Sequence, residues 1–418
     1  MRKMGIGVAA LAAGSLLLAG CASGGTNTPA APEESEAAPI DASGVTLTVW
    51  TDANREPAIE AAAAAFEEET GATIELVQKN FEDIRNDFIN QVPTGEGPDI
   101  TIGAHDFLGA FVAAGVVDTV DLGAAADELE QVAVDAFSYD GQVYGFPYAL
   151  ESIALIQNTD LVGEDVPATW DDMVAQADEA GAERALVINT GGQTGDAYTM
   201  YGFQTSFGAP VFVQDESGSY TTEVGMGGEA GAAFATWLGE KGEKGTGDIS
   251  TTIDYDTNNE LFASGKAAFT IQGPWAIEAL TAQDANIKVS PIPSAGGETA
   301  APFVGVQGFY VSSQSENALV AQEFLVNYLA TDDAQKALYE ADPRLPAWKT
   351  LAEDPAIAED PIVAGFLASA ANGVPQPSIP EMGSVWDLWN AAQVQVIKGA
   401  DPVKTWDKMV ADIEAAIG

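Results

Sequence analysis

Chemistry in this 418-residue chain has to be built from carboxylates, amides and aromatic rings, because the common nucleophiles and metal ligands are nearly absent. There is one Cys and one His. That count excludes a disulfide framework, a thiol–imidazole dyad and a zinc site made of Cys and His. No Gly-x-Ser-x-Gly elbow, P-loop or His-Glu-x-x-His pattern occurs, so other hydrolytic and nucleotide chemistries have no starting point. What remains is 63 Asp and Glu alongside 8 Trp and 10 Tyr. Acids beside indoles suit two tasks: cleaving a glycosidic bond with a carboxyl pair, and gripping a sugar without reacting.

One aromatic stands out by its setting. Residues 268–277 read AFTIQGPWAI, an apolar and β-branched run through Phe269 and Ile271 that Gly273 and Pro274 bring to a stop. Proline has no N–H for a strand ladder, and its fixed φ suits the first turn of a helix. Trp275 to Leu280 then has helical spacing. A strand that hands an indole to a helix start puts Trp275 at the carboxyl edge of a sheet, where open α/β folds hold ligands. Trp275 is therefore read as one wall of a sugar-accepting cleft.

The elements that must position such a cleft follow from the pattern on either side. Val45 to Trp50 alternates like a half-buried strand, and a polar loop with Asp52, Asn54 and Arg55 comes after it. Pro57 opens a helix with Ile59, Ala63 and Phe66 on one face and Gly71 at its C′ position. Thr73 to Val77 is a second strand, Phe81 to Gln91 a returning helix, and Ile100 to Ile102 a third strand running into Gly103, Ala104, His105 and Asp106. This alternation predicts an α/β fold with a parallel sheet covered on both faces, and the length predicts two domains. Ile153 to Ile156 and Ala185 to Ile188 read as further strands. Thr169 with Asp172 reads as a helix cap, and the glycine loop of residues 189–197 carries Asp196 just before Tyr198. A later helix is expected to turn Leu319, Phe324, Leu325 and Tyr328 inward, and the chain ends in a helix around Trp406 to Ile417.

The formal charge of −47 comes from 63 acids against 16 Lys and Arg. Nucleic-acid binding draws on Lys and Arg at phosphates, so no nucleic-acid partner is expected. The acidic excess reads as surface solvation. Residues 1–20 have a short basic start and an apolar run too short to span a bilayer comfortably, which marks an export signal. The run ends in Leu18, Ala19, Gly20 and Cys21, which resembles the bacterial lipoprotein box. Lipid on Cys21 would anchor the chain at the outer face of the cytoplasmic membrane, since two acyl chains hold where one does not. Residues 21–43 are rich in Ser, Gly, Pro, Ala and Glu and read as a disordered tether.

Taken in order, several motifs resemble those of one family. They are Gly97 to Ile100 with Ala104 to Asp106, Pro147 to Glu151, Gln272 to Trp275, Pro302 to Val306, and Pro377 to Trp386. Together they are similar to the maltose- and maltodextrin-binding proteins of bacterial ABC importers, in a lipoprotein form, over nearly all of the chain from Val45 onward. The resemblance implies a two-lobed, periplasmic-binding-protein-like type II fold with a ligand cleft between discontinuous lobes. It places one lobe at residues 44–149 and 309–355, the other at 154–303 and 356–418, and hinge crossovers at 150–153 and 304–308. It also implies a binder that closes around its ligand and delivers it to permease subunits, as a monomer, with no cofactor, no metal and no catalytic residue.

Carried over position by position, the resemblance gives hydroxyl contacts to Asp52, Asn54, Arg55 and Asp106 from the first lobe. Glu151 and Asp196 would make them from the second, with Tyr198, Trp275 and Trp386 stacking on sugar rings. Phe107, Gln376, Trp389 and Asn390 are secondary candidates. His105 reads as a packed, hydrogen-bonded side chain, and Trp50 and Trp170 as core. The family pattern has a tryptophan and an arginine where this chain has Gly103 and Phe107, a methionine at Gln376 and an arginine at Asn390. A malto-oligosaccharide is the first expectation, and trehalose, sucrose or another short glucoside stays open. So do a secreted glycosidase and a binder of peptides, polyamines or metal complexes.

Overall fold

A computed structural model describes residues 40–215 and 220–418. The export signal, Cys21 and the first part of the expected tether lie outside them. Residues 40–43, expected within the tether, belong to the folded body. Ala42 is 3% exposed and its N–H donates to the Thr70 carbonyl at 2.9 Å. A small apolar residue seals the end of the first helix, and the tether-like composition around it hides that role.

The first sheet takes its strands from well-separated parts of the chain. They are β1 (Thr46–Thr51), β2 (Thr73–Gln78), β3 (Ile100–Ala104) and β4 (Gly145–Ser152). The second sheet holds β5 (Ala154–Asn158), β6 (Arg184–Ile188), β7 (Ala267–Gln272) and β8 (Ile287–Ser290), in the order β8-β5-β7-β6. The chain then returns to the first sheet with β9 (Phe303–Val311), β10 (Leu345–Pro346) and β11 (Val374–Pro375). Its order is β10-β4-β9-β3-β1-β2, with β11 alongside β9. β1 pairs in parallel with β2 and β3, as the strand–helix alternation dictates, whereas β9 runs antiparallel to both β3 and β4.

Each sheet has its own core. Leu47, Phe66, Phe88, Phe111 and Phe309 pack together around the first, and Trp170, Phe203, Phe234, Trp389 and Trp406 on one side of the second. Two strands pass from one core to the other. β4 carries Phe146 and Tyr148 in the first core and continues through Ile153 of the second directly into β5. β9 starts at Phe303 in the second core and reaches Val306 and Phe309 in the first. The fold is thus a two-lobed type II α/β fold whose lobes are linked by continuous strands.

The helix caps form where the side-chain chemistry calls for them. Helix α1 (Glu56–Thr70) carries its proline in the first turn and ends at Gly71 with φ 74°. Thr169 and Asp172 make a reciprocal capping box. One expectation fails: Leu319 does not face inward but is 83% exposed, while Ala321, Phe324 and Leu325 are buried. At 100° per residue Leu319 lies about 200° round the helix from Ala321, so it leaves the face that the others define.

Candidate functional site

The end of β7 is built to present an indole. A Cβ on Gly273 would lie 2.2 Å from the Trp275 ring, so only glycine lets the indole fold back over the strand end. Pro274–Ala276 form a tight 3-10 turn, and the α-helix proper begins one residue later at Ile277. Trp275 is half-buried. Tyr198 lies 6.4 Å from it, and the Arg344 guanidinium sits 5.3 Å above its ring. Arg344 comes just before β10 in the first sheet, so the indole of one lobe meets a cation of the other.

Tyr198 lies in the first turn of helix α2 (Ala197–Thr205). Asp196 caps that helix, accepting from the Thr199 N–H at 3.0 Å, from the Thr199 hydroxyl at 2.6 Å and from the Asn189 amide at 2.6 Å. Asn390 accepts from the Ala197 N–H at 2.8 Å. Both predicted ligand groups therefore serve first as supports for the tyrosine. The Tyr198 hydroxyl is shielded from solvent and has no hydrogen-bond partner among the described residues. Burial, reinforced by the Glu151 charge, holds its phenol well above the usual range, so it stays protonated and can donate. A buried, unpartnered hydroxyl is costly unless something completes it.

Acids at the edge of the first sheet act on that hydroxyl, among them Glu151, which was expected to reach the ligand from the second lobe but lies in β4 of the first sheet. Asp106 follows β3 in a short turn (His105–Phe107) and is buried. Burial pushes its carboxyl up to about 7; the Arg85 charge and a hydrogen bond from the Gln376 side chain oppose the rise, and Glu151 adds to it. Glu151, near the end of β4, accepts from the Gln307 amide at 2.9 Å and from the Arg344 Nε at 2.5 Å. A Cβ on Gly305 of β9 would come within 3.0 Å of the Glu151 side chain, so the glycine leaves that carboxylate its room.

Other predicted contacts are committed elsewhere. Arg55 is only 1% exposed: its guanidinium donates to Asp52, to the Tyr148 hydroxyl and to Gln307 Oε1 at 3.3 Å, and it pairs with Asp342 at 3.2 Å. It ties these side chains at the first sheet together rather than offering itself to a hydroxyl. Asp52 accepts from Arg55 and from the N–H groups of Asn54 and Arg55, while the Asn54 side chain stays exposed. Trp389 is fully buried, donates from its indole N–H to Gln204 at 3.0 Å, and backs Trp386 at 5.5 Å, so it is core. Trp386 itself is half-buried at the start of helix α3 (Trp386–Ile397). Phe107 stacks among Phe81 and Phe111, each 5.7 Å away. A Cβ on Gly103 would meet that ring at 2.9 Å, so Phe107 occupies the space a large side chain at 103 would need. Trp50 and Trp170 are core.

A family model described as "Bacterial extracellular solute-binding protein" matches residues 61–365. The chain belongs to the bacterial extracellular solute-binding protein family. This solute-binding protein is 29% identical over 407 residues to the galactooligosaccharide-binding protein of Bacillus subtilis (strain 168), covering 95% of this chain and 93% of the relative. It is 28% identical over 402 residues to the maltooligosaccharide ABC transporter solute-binding lipoprotein of Streptococcus pneumoniae (strain ATCC BAA-255 / R6), covering 94% and 91%. Among solved structures it resembles the Thermus thermophilus maltotriose binding protein bound with maltotriose, with a TM-score of 0.79 and 32% identity, covering 89% of this chain and all of that one. No helix among the described residues is long and apolar enough to cross a membrane.

Four residues that bear on the candidate site of the solute-binding protein escape sequence reasoning. Arg344 pairs with Glu151 and Asp342. Glu82 and Arg85 project from the helix Phe81–Gln91, close enough to act on Asp196 and Asp106 respectively. Tyr255 bonds to the Asn259 side chain within the electrostatic reach of Arg344. Isolated polar side chains of this kind carry no local signature, and only the lobes' approach gives them meaning.

Proposed function

We propose that this chain is the ligand-capturing lipoprotein of an ABC importer, taking up maltose-type oligosaccharides by hinge closure and handing them to permease subunits. The observation that carries the reading is the buried, unpartnered Tyr198 hydroxyl beside Trp275, confronted by Asp106, Glu151 and Arg344 of the first sheet. Sugars offer an apolar face for the rings and a rim of hydroxyls for the acids. Each hydrogen bond to a charged group contributes roughly 1.5–3 kcal/mol, and micromolar binding needs only about 8 kcal/mol net. The relatives named for maltooligosaccharides and the maltotriose-bound neighbour support the same class.

In this reading the closing lobes are residues 44–149 with 309–355 and 154–303 with 356–418, swinging about 150–153 and 304–308. The ligand set is Asp106, Glu151, Tyr198, Trp275 and Trp386, with Asp52, Asn54, Asp196, Gln376 and Asn390 around them. The monomeric chain is held at the outer face of the membrane by lipid on Cys21, and the cleft binds without cleaving. Titration calorimetry against maltotriose, maltose, trehalose, sucrose and a β-galactobiose tests the class. Micromolar binding of a glucan supports it, whereas binding only of amines or peptides overturns it. Incubation with labelled maltotriose must return the sugar intact, since a carboxyl pair acting as a glycosidase would not. Tight binding of the galactoside alone would favour the second reading, raised by the galactooligosaccharide-binding relative. An exported Cys21→Ser variant should leave the membrane fraction, and its retention there would end the anchor assignment.

A further inference from the structure

The chain's one histidine lies where three separate segments meet. His105 is buried in the turn after β3. The Val306 N–H of β9 donates to its Nδ1 at 3.0 Å, and its Nε2 lies 2.9 Å from the Gln376 carbonyl, just past β11. A backbone N–H only donates, so Nδ1 must accept and the ring proton must sit on Nε2, donating to Gln376. The two anchored positions have a shared consequence. Gln307, next to Val306, donates to Glu151, and the Gln376 side chain bonds Asp106.

We infer that His105 is the positioning residue for both cleft carboxylates, fixing through one neutral imidazole the backbone at Val306, beside the Gln307 that holds Glu151, and at Gln376, which holds Asp106. The inference rests on the sugar-cleft reading. A second proton on the ring would set an N–H against the Val306 N–H and break the arrangement. Burial indeed drives the imidazole below its usual range, against the pull of its Gln376 bond and of Glu151. The charged group that acts on the ring is Glu151 from β4. Asp106 in turn is faced by Arg85, Glu151, Tyr198 and Tyr310.

A single histidine makes the test direct, because nitrogen NMR of the ¹⁵N-labelled mature chain, made without a histidine tag, reports one imidazole. The expected spectrum is the neutral Nε2–H tautomer at pH 6, with a shift when maltotriose saturates the cleft. His105→Asn keeps an acceptor for the Val306 N–H and loses the donor to Gln376. It should weaken maltotriose binding about tenfold, the scale of one buried hydrogen bond. It should also move the midpoint of the affinity–pH profile upward, because Asp106 loses the amide that stabilises its anion. A residue that merely holds the fold would lower the melting temperature and leave that midpoint alone. His105→Gln, which can still donate toward Gln376, should restore the midpoint and serves if the asparagine variant does not fold. An Nδ1–H tautomer, or wild-type affinity and midpoint in His105→Asn, overturns the inference. If the wild type binds no sugar, the cleft reading falls and the tautomer alone decides: Nε2–H supports the positioning role and Nδ1–H ends it.

Discussion

Arg55 and Tyr198 have the same credentials as ligand groups in the sequence, yet the structure treats them in opposite ways. Arg55 is surrounded by Asp52, Tyr148, Gln307 and Asp342 and has its donors spoken for inside the first lobe. Tyr198 is carried on a helix capped by Asp196 and braced by Asn390, while its own hydroxyl meets no partner among the described residues. The contrast teaches that residue type nominates a ligand group and hydrogen-bond saturation decides it. A charge already neutralised by its own fold gains little from a sugar. A shielded group left without a partner gains the whole of the missing bond.

The sharpest way to break the comparison is to remove Arg55. Arg55→Met takes the only side-chain cation from Asp52 and leaves the buried Asp342 to Arg344 alone, and breaking one side of such a buried cluster costs about 3–5 kcal/mol. Urea unfolding should show that loss, while calorimetry on the still-folded protein should find sugar affinity within about twofold of wild type. An intact midpoint of unfolding with collapsed affinity would return Arg55 to the ligand set. Trp275→Ala should do the reverse. Losing one aromatic platform weakens binding by roughly 1–3 kcal/mol and leaves the melting temperature of the free protein nearly unchanged. A large fall in melting temperature with unaltered affinity would make Trp275 a core residue.

The same contrast explains what the sequence could and could not reveal. The Gly273, Pro274, Trp275 junction is legible because backbone chemistry alone forces it: proline ends the strand and glycine makes room for the ring. The Thr169 cap and the Gly71 helix end are legible for similar local reasons. Trp389 is not, since it stands one helical turn from Trp386 and only the packing of α3 against Gln204 and Phe303 sends one indole inward. The Arg344 contact with Glu151 and Trp275 is equally silent, because its partners lie 193 residues away in one case and across the cleft in the other. Local rules report elements, while saturation depends on the assembled lobes.

Solution pH sharpens the comparison further. Asp106 titrates near 7 in the free protein, and a carboxylate accepts hydroxyl hydrogen bonds that a carboxylic acid accepts poorly. Ligand therefore favours the anion, so affinity should rise with pH, by about tenfold between pH 6 and pH 8, and level off above that range. Binding in that window should release a proton, visible as an enthalpy that changes with the ionisation heat of the buffer. A flat profile would mean that Asp106 makes no ligand contact.

The smallest expected effect is the most discriminating. Tyr198→Phe deletes one oxygen and keeps the ring, so stacking beside Trp275 survives. Because the hydroxyl has no partner among the described residues, its removal should leave stability unchanged or slightly raised, the opposite of what deleting a satisfied buried hydroxyl does. Affinity should fall by about 0.5–1.5 kcal/mol, one neutral hydrogen bond to the sugar. A loss of stability without a loss of affinity would show that the hydroxyl bonds within the protein. Tyr198 would then join Arg55 among the groups the fold keeps for itself, and the sugar rim would rest on Asp106 and Glu151 alone.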